Sequence, residues 1–263
     1  MSTDFSKNAD HAIEYALTLF ENAAVNYTLL NSCSILHNIP ETLISLEDIL
    51  REQSEKRLTS TLNGIRKTHN KINIESLSVF GDPATTIKKV AKDQRMDLVV
   101  LGSRGSSFGD ALYGSTTTKL IRRIDRPMLV VPGEYKCRTP KRIILATDLI
   151  QIDDLNVLDA MMAIARKFDA EVVIVNVTGS EEHQKVKQAL TRLNFNNHFN
   201  GIRSRFEVVD NKDIVAGIRE YVHRQQADLL VLFPKRYPRF INMFHRSITR
   251  NFVKHSDIPV LVV

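Results

Sequence analysis

The chain repeats itself, and that limits what it can fold into. Met96-Asp97-Leu98-Val99-Val100-Leu101 returns 131 positions later as Ala227-Asp228-Leu229-Leu230-Val231-Leu232. Asp125-Arg126-Pro127-Met128-Leu129-Val130-Val131 returns 132 positions later as Asp257-Ile258-Pro259-Val260-Leu261-Val262-Val263. Near the two beginnings, Thr3-Asp4-Phe5 matches Thr147-Asp148-Leu149. Two copies of one folding unit therefore stand in tandem. Each has about 130 residues, an ordinary domain size. The connector Gly133-Glu134-Tyr135-Lys136-Cys137-Arg138-Thr139-Pro140 is polar and ends in proline, as a boundary should. It predicts domains over 1–136 and 137–263.

Within each copy, short apolar runs alternate with stretches of helical period. In the second copy the pattern predicts strands over 142–147, 171–177, 206–209, 229–233 and 259–263, and helices over 154–168, 181–193 and 213–226. In the first copy it predicts strands over 27–32, 74–79, 98–101 and 127–131, and helices over 9–24, 40–68, 84–93 and 115–123. The Val/Ile/Leu runs are continuous rather than alternating, as strands covered on both faces by helices require. Alternating strands and helices mean right-handed crossovers and a mainly parallel, doubly wound α/β sheet, five-stranded in each domain. One element is expected to be missing: nothing in the first copy corresponds to the strand at 142–147 of the second.

Composition narrows the function. Charged residues make up 25% and hydrophobic residues 43%, which excludes a disordered or collagen-like chain. No apolar run approaches the roughly 18–20 residues of a membrane helix, and the polar start MSTDFSKNADH is unlike a signal peptide, so a cytoplasmic protein without a membrane partner is expected. The two cysteines, Cys33 and Cys137, form no CxxC, which argues against a disulfide framework or a cysteine-built metal site. The eight histidines are scattered with no i, i+4 pair. Nucleophile-elbow, zinc-protease and Walker-type motifs are absent from the sequence, and no general base stands beside the glycine loop described next. The expectation is a protein that is not an enzyme, with weak ATP hydrolysis or self-phosphorylation as the alternative.

The residues that carry chemistry follow the strand at 98–101: Gly102-Ser103-Arg104-Gly105, and then Gly114-Ser115-Thr116 opening a helix. Glycines at the carboxyl end of a parallel strand let backbone N–H groups turn toward a phosphate. The following helix start adds unpaired N–H groups and hydroxyls. Ligands in open α/β sheets bind beyond these strand ends. Arg104 offers a cation for a phosphate, or simply a solvated charge.

The chain resembles the universal stress protein family in its tandem two-domain form. The resemblance rests on Thr3-Asp4-Phe5-Ser6 ahead of a helix, on the Gly102-x2-Gly105…Gly114-Ser115 loop, and on the Pro-x-Leu-Val-Val strand closing both halves. A subclass of that family binds ATP through Gly-x2-Gly-x9-Gly-Ser/Thr; here eight residues separate Gly105 from Gly114. The resemblance implies Asp4 near the adenine or ribose, Ser32 offering backbone contacts to adenine, Leu101 and Gly102 flanking the ribose, and Gly105, Gly114, Ser115 and Thr116 at the phosphates of ATP with Mg²⁺. It also implies a nucleotide-responsive stress regulator with an unidentified protein partner. The two closing strands are expected to meet as an intramolecular pseudo-dimer, with a homodimer of such chains as a further step.

The second copy has lost the glycines. Gly102, Gly105 and Gly114 correspond to Phe233, Arg236 and Arg246, and Ser115 to Ser247. Large side chains should fill the phosphate cradle, so this copy is read as unable to bind a nucleotide. Lys and Arg outnumber Asp and Glu by one in residues 1–136 and by five in 137–263. Between Leu229 and Ser256 there are six Lys/Arg and no acid. Lys235, Arg236, His245, Arg246 and Ser247 are therefore a candidate anion site; a merely solvated face is the other reading. An interaction protein whose basic second domain binds an anionic ligand or nucleic acid is the rival function. No recognition-helix or aromatic-sheet motif supports nucleic acid.

Overall fold

Apolar runs too short for helices make the strands, and polar residues at their ends start the helices. The structure, a computed structural model, describes residues 1–33, 43–103, 115–121, 123–147, 158–179, 199–233 and 242–263. The first repeat runs β1 (Ser2–Thr3), α1 (Lys7–Leu19), β2 (Asn26–Cys33), α2 (Leu43–Thr68), β3 (Asn73–Phe80), α3 (Pro83–Asp93), β4 (Val99–Gly102), α4 (Ser115–Ile121) and β5 (Met128–Val131). The second runs β6 (Arg142–Ala146), α5 (Asp159–Phe168), β7 (Glu171–Thr178), β8 (Ser204–Asp210), α6 (Ile214–Arg224), β9 (Leu229–Leu232), α7 (Asn242–His255) and β10 (Val260–Val262). Ser6 caps α1 by accepting from the Ala9 N–H. Asp82 and Asp213, at matching places in the two repeats, cap α3 and α6, each satisfying otherwise orphaned donors. The helix predicted over 181–193 lies outside the described residues, and α7 is an element the apolar pattern does not predict, lying in the basic stretch.

The second repeat is a five-stranded parallel unit in the order β10-β9-β6-β7-β8. Its central strand β6 pairs with β7 over five residues and with β9 over four. In the first repeat the corresponding place is not empty, as the sequence led one to expect. Ser2 and Thr3 occupy it and pair in parallel with Leu30 and Asn31 of β2. Two residues cannot bridge the sheet as β6 does, so β1-β2-β3 stands as a separate three-stranded sheet. β4 and β5 instead continue into the second repeat through β10.

That continuation is the antiparallel pair β5–β10, with Val130 opposite Val260, Leu129 opposite Leu261 and Met128 opposite Val262. The closing strands do meet, and a seven-stranded sheet crosses both repeats. Met128, Leu129, Val131, Ile143, Ile144, Leu145 and Leu229 are fully buried in one continuous core spanning the two halves. A smaller cluster of Ile13, Leu17, Leu29, Leu58, Leu62 and Ile74 lies under α2. The linker is fastened too. Tyr135 meets Tyr15 edge-on at 5.6 Å and donates to the Asp228 carbonyl at 3.2 Å. Arg138 pairs with the Asp228 carboxylate at 2.8 Å. Among the described residues no helix is long and apolar enough to cross a membrane.

Candidate functional site

Chain order reverses between β1 and β4. From β1 the chain builds outward through β2 and β3, and it returns to place β4 and β5 on the other side. A crevice beyond the carboxyl ends of strands at such a reversal is where open α/β sheets hold ligands. Here those ends carry Asp4 just after β1, Ser32 near the end of β2, and Leu101-Gly102 at the end of β4.

The Asp4 end is a tightly bonded turn. Thr3 Oγ1 accepts from the Phe5 N–H at 2.9 Å, and Asp4 Oδ1 accepts from the Ser6 N–H at 3.0 Å. Phe5 has a φ of 61°, a left-handed conformation that costs a non-glycine residue about 1 kcal/mol. Helix α2 covers this turn with the Arg57 guanidinium, 4.1 Å from the centre of the Phe5 ring. Burial pushes the Asp10 carboxyl up, Asp4 adds to the rise and Arg57 opposes it, so the three charges form one local group at the start of α1. The side chain of Ser32 donates to the Gly81 carbonyl at 2.8 Å, which leaves its role at the cleft to its backbone.

On the other side, Leu101 is buried and Gly102 stands opposite Val131 in the register. Ser103, buried, continues the ladder by donating its N–H to the Val131 carbonyl at 2.9 Å. Ser115 is the first residue of α4, Thr116 is half-buried and Thr117 buried. Lys119 of α4 reaches the α3 cap Asp82 at 3.4 Å, which holds these two helices together beside the cleft. The Thr85 backbone N–H holds the Asp82 carboxyl below its ordinary range; burial opposes this, and the Thr85 hydroxyl and Lys119 reinforce it. Arg104, Gly105 and Gly114 lie outside the described residues.

Sequence reasoning did not find the residues beneath the turn. Asn31, buried on β2, donates from Nδ2 to the Thr3 carbonyl at 2.8 Å and accepts from the Ser54 hydroxyl at 2.8 Å. Ser78 donates in turn to Ser54 at 2.8 Å. The signal was there as a second match between the copies: Asn176 sits in the corresponding strand and donates to the Thr147 carbonyl at 3.0 Å.

The same cleft in the second repeat is apolar. A cavity of about 60 Å³ there is lined by Thr147, Val177, Ile218, Leu232, Phe233 and Ile248, among others. By the repeat offsets and the matching asparagines, Val177, Phe233 and Ile248 stand where the first repeat has Ser32, Gly102 and Thr116. Of the candidate anion residues, Lys235 and Arg236 lie outside the described residues, His245 and Arg246 belong to α7, and Ser247 is exposed on that helix. Among the described residues no group of three or more His, Cys, Asp or Glu could hold a metal ion.

Two α/β units with mainly parallel sheets flanked by helices, joined edge to edge through β5 and β10, define the class. The sequence profile of the universal stress protein family matches residues 2–132 and 180–263, and the chain belongs to that family. A universal stress protein of Methanocaldococcus jannaschii is 27% identical over 49% of this chain and 90% of its own length. The crystal structure of a universal stress protein from Archaeoglobus fulgidus covers 99% of this chain and 96% of that one, with a TM-score of 0.77 at 18% identity. A universal stress protein crystallised in complex with cAMP is 20% identical over 48% of this chain and 98% of its own, with a TM-score of 0.39.

Proposed function

We propose that the first repeat binds an adenine nucleotide, ATP carrying Mg²⁺, and that the protein is a nucleotide-responsive stress regulator of the cytoplasm rather than an enzyme. The observation that carries this reading is the convergence of Asp4, Ser32 and Leu101-Gly102 at the strand-order reversal. A carboxylate for a ribose or base edge, strand-end backbone and a glycine step stand at the carboxyl ends of β1, β2 and β4. In this reading Asp4 and the Ser32 backbone take the base and ribose, with Leu101 and Gly102 flanking the ribose. Gly105, Gly114, Ser115 and Thr116 take the phosphates, and Arg104 adds a cation. The Mg²⁺ would be carried on the phosphates, as this cation commonly is.

The second repeat plays a different part. Val177, Phe233 and Ile248 remove the polar and glycine positions a phosphate chain needs, so one nucleotide per chain is the expected stoichiometry. The join between the two functional halves falls near residue 137. Since β5 and β10 already pair within the chain, a homodimer would use another surface. A calorimetric titration of ATP with Mg²⁺ into the full chain tests the reading. One site per chain, lost in Gly114→Arg, supports it; no binding by the unmodified chain removes it and leaves an interaction protein whose basic second domain is the working part.

A further inference from the structure

Helix α2 touches the Asp4 turn at two points, one helical turn apart. Ser54 reaches it through Asn31: the Ser54 hydroxyl donates to Asn31 Oδ1, and Asn31 Nδ2 donates to the carbonyl of Thr3, each at 2.8 Å. Arg57, three residues further along the same face, lies 4.1 Å from the centre of the Phe5 ring. Thr3 and Phe5 flank Asp4 directly. The amide bond to Thr3 belongs to the repeat as such, because Asn176 makes it to Thr147 as well. The hydroxyl behind it and the cation over Phe5 come from α2.

We propose that Ser54 and Arg57 are positioning residues for the base-and-ribose end of the first-repeat site, acting through Asn31 and Phe5 on the turn that carries Asp4. The inference rests on the nucleotide reading above. Its physical content is preorganisation. The turn holds Phe5 in a left-handed conformation at φ 61° that the isolated backbone disfavours. β1, only two residues long, gives the turn little support of its own. Ser54 is 5% exposed and Asn31 6% exposed, so the hydroxyl-to-amide bond is shielded from competing water and fixes the Asn31 amide with its nitrogen toward Thr3. Without Ser54, Oδ1 of Asn31 and the hydroxyl of Ser78 lose a buried partner, and the amide is free to seek another. A turn that spends less time in the competent geometry binds its ligand more weakly in proportion to the lost population. The coupling is reciprocal: a ligand that holds Asp4 tightens the seat of α2.

The test combines amide exchange without nucleotide and ATP affinity in four variants. Ser54→Ala and Arg57→Met should speed exchange of the Phe5 and Ser6 amides, whose acceptors are Thr3 Oγ1 and Asp4 Oδ1, by about tenfold for the serine and less for the arginine. ATP affinity should fall in parallel, and Ser54→Thr, which keeps the hydroxyl, should restore both. Leu62→Ala removes a buried residue of the same helix, eight positions beyond Ser54 and outside the Ser54–Asn31 relay; it should lower the melting temperature while loosening the turn far less than Ser54→Ala does. Unchanged turn exchange in Ser54→Ala, or equal loosening by Leu62→Ala, overturns the proposal. Turn loosening in a protein that binds no ATP supports the link from α2 to the turn and overturns the nucleotide reading alone.

Discussion

Asn31 and Asn176 make the same bond in the two repeats: each side-chain amide donates to the carbonyl at the end of its repeat's first strand, Thr3 at 2.8 Å and Thr147 at 3.0 Å. Both side chains are buried. The bond ties the second strand of each repeat to the exit of the first, where the chain leaves the sheet toward its cleft. In the first repeat the amide oxygen is also used, by Ser54; among the described residues Asn176 Oδ1 has no partner.

That asymmetry sets the first prediction. Asn31→Ala strands the Thr3 carbonyl and the Ser54 hydroxyl and should destabilise the fold by about 2 kcal/mol. Asn176→Ala removes only the bond to the Thr147 carbonyl and should cost about 1 kcal/mol. Urea denaturation of the two variants measures the difference, and equal losses would show that the hydroxyl relay adds nothing.

Asp228 fastens the linker to the second repeat. Its carboxylate accepts from the Lys141 N–H at 2.8 Å and the Arg142 N–H at 3.0 Å, and pairs with Arg138 at 2.8 Å, with a side chain only 10% exposed. Asp228→Ala leaves two backbone donors at the start of β6 unpaired and should cost about 3 kcal/mol. The same denaturation assay checks it; a loss below that of a surface substitution would contradict the assignment.

Two glycines in helices should respond oppositely to alanine. At Gly217 in α6 a new Cβ would stand 2.6 Å from Val177 Cγ1 and 2.9 Å from Asn211 Cβ, overpacking that costs about 1–3 kcal/mol. At Gly64 in α2 it would meet nothing within 4 Å, so removing the glycine should stabilise by about 0.5–1 kcal/mol. Melting temperatures that move the same way in both variants would refute this packing account.

Glu171 predicts a pH dependence. Burial pushes its carboxyl up from the ordinary 4.5, but Arg205 at 2.8 Å and Arg142 at 3.0 Å outweigh that and hold it lower. A carboxyl depressed in the folded state contributes stability above its unfolded value that disappears as pH falls through the folded one. The native chain should therefore exceed Glu171→Gln in urea midpoint at pH 7, with the gap closing below about pH 4. A gap independent of pH would mean that the ion pairs across β6, β7 and β8 contribute nothing.

Much of this architecture was legible because it repeats. Pro-x-Leu-Val-Val at both ends marked β5 and β10, and their antiparallel pairing follows once two identical edges exist in one chain. The replacement of the Gly102 position by Phe233 marked the second cleft as the one filled by side chains, and Phe233 lines the apolar cavity there. β1 was not legible, since two residues show no period and Ser2-Thr3 are held by pairing with Leu30 and Asn31. α7 was missed because Arg246, Arg250 and Lys254 drew attention to charge, although buried Phe252 and Val253 supply its apolar side. The Asn31–Ser54 relay joins residues 23 positions apart, and only the matching asparagines of β2 and β7 hinted at half of it.

The central claim is that one repeat binds a nucleotide and the other does not. Hydrogen exchange read along the whole chain, with and without ATP and Mg²⁺, tests it most directly. The account predicts new protection at residues 4–6, 32–33, 101–103 and 115–121, and none at 146–147, 177–178, 232–233 and 247–249. Protection at the second set, or at neither, would contradict it.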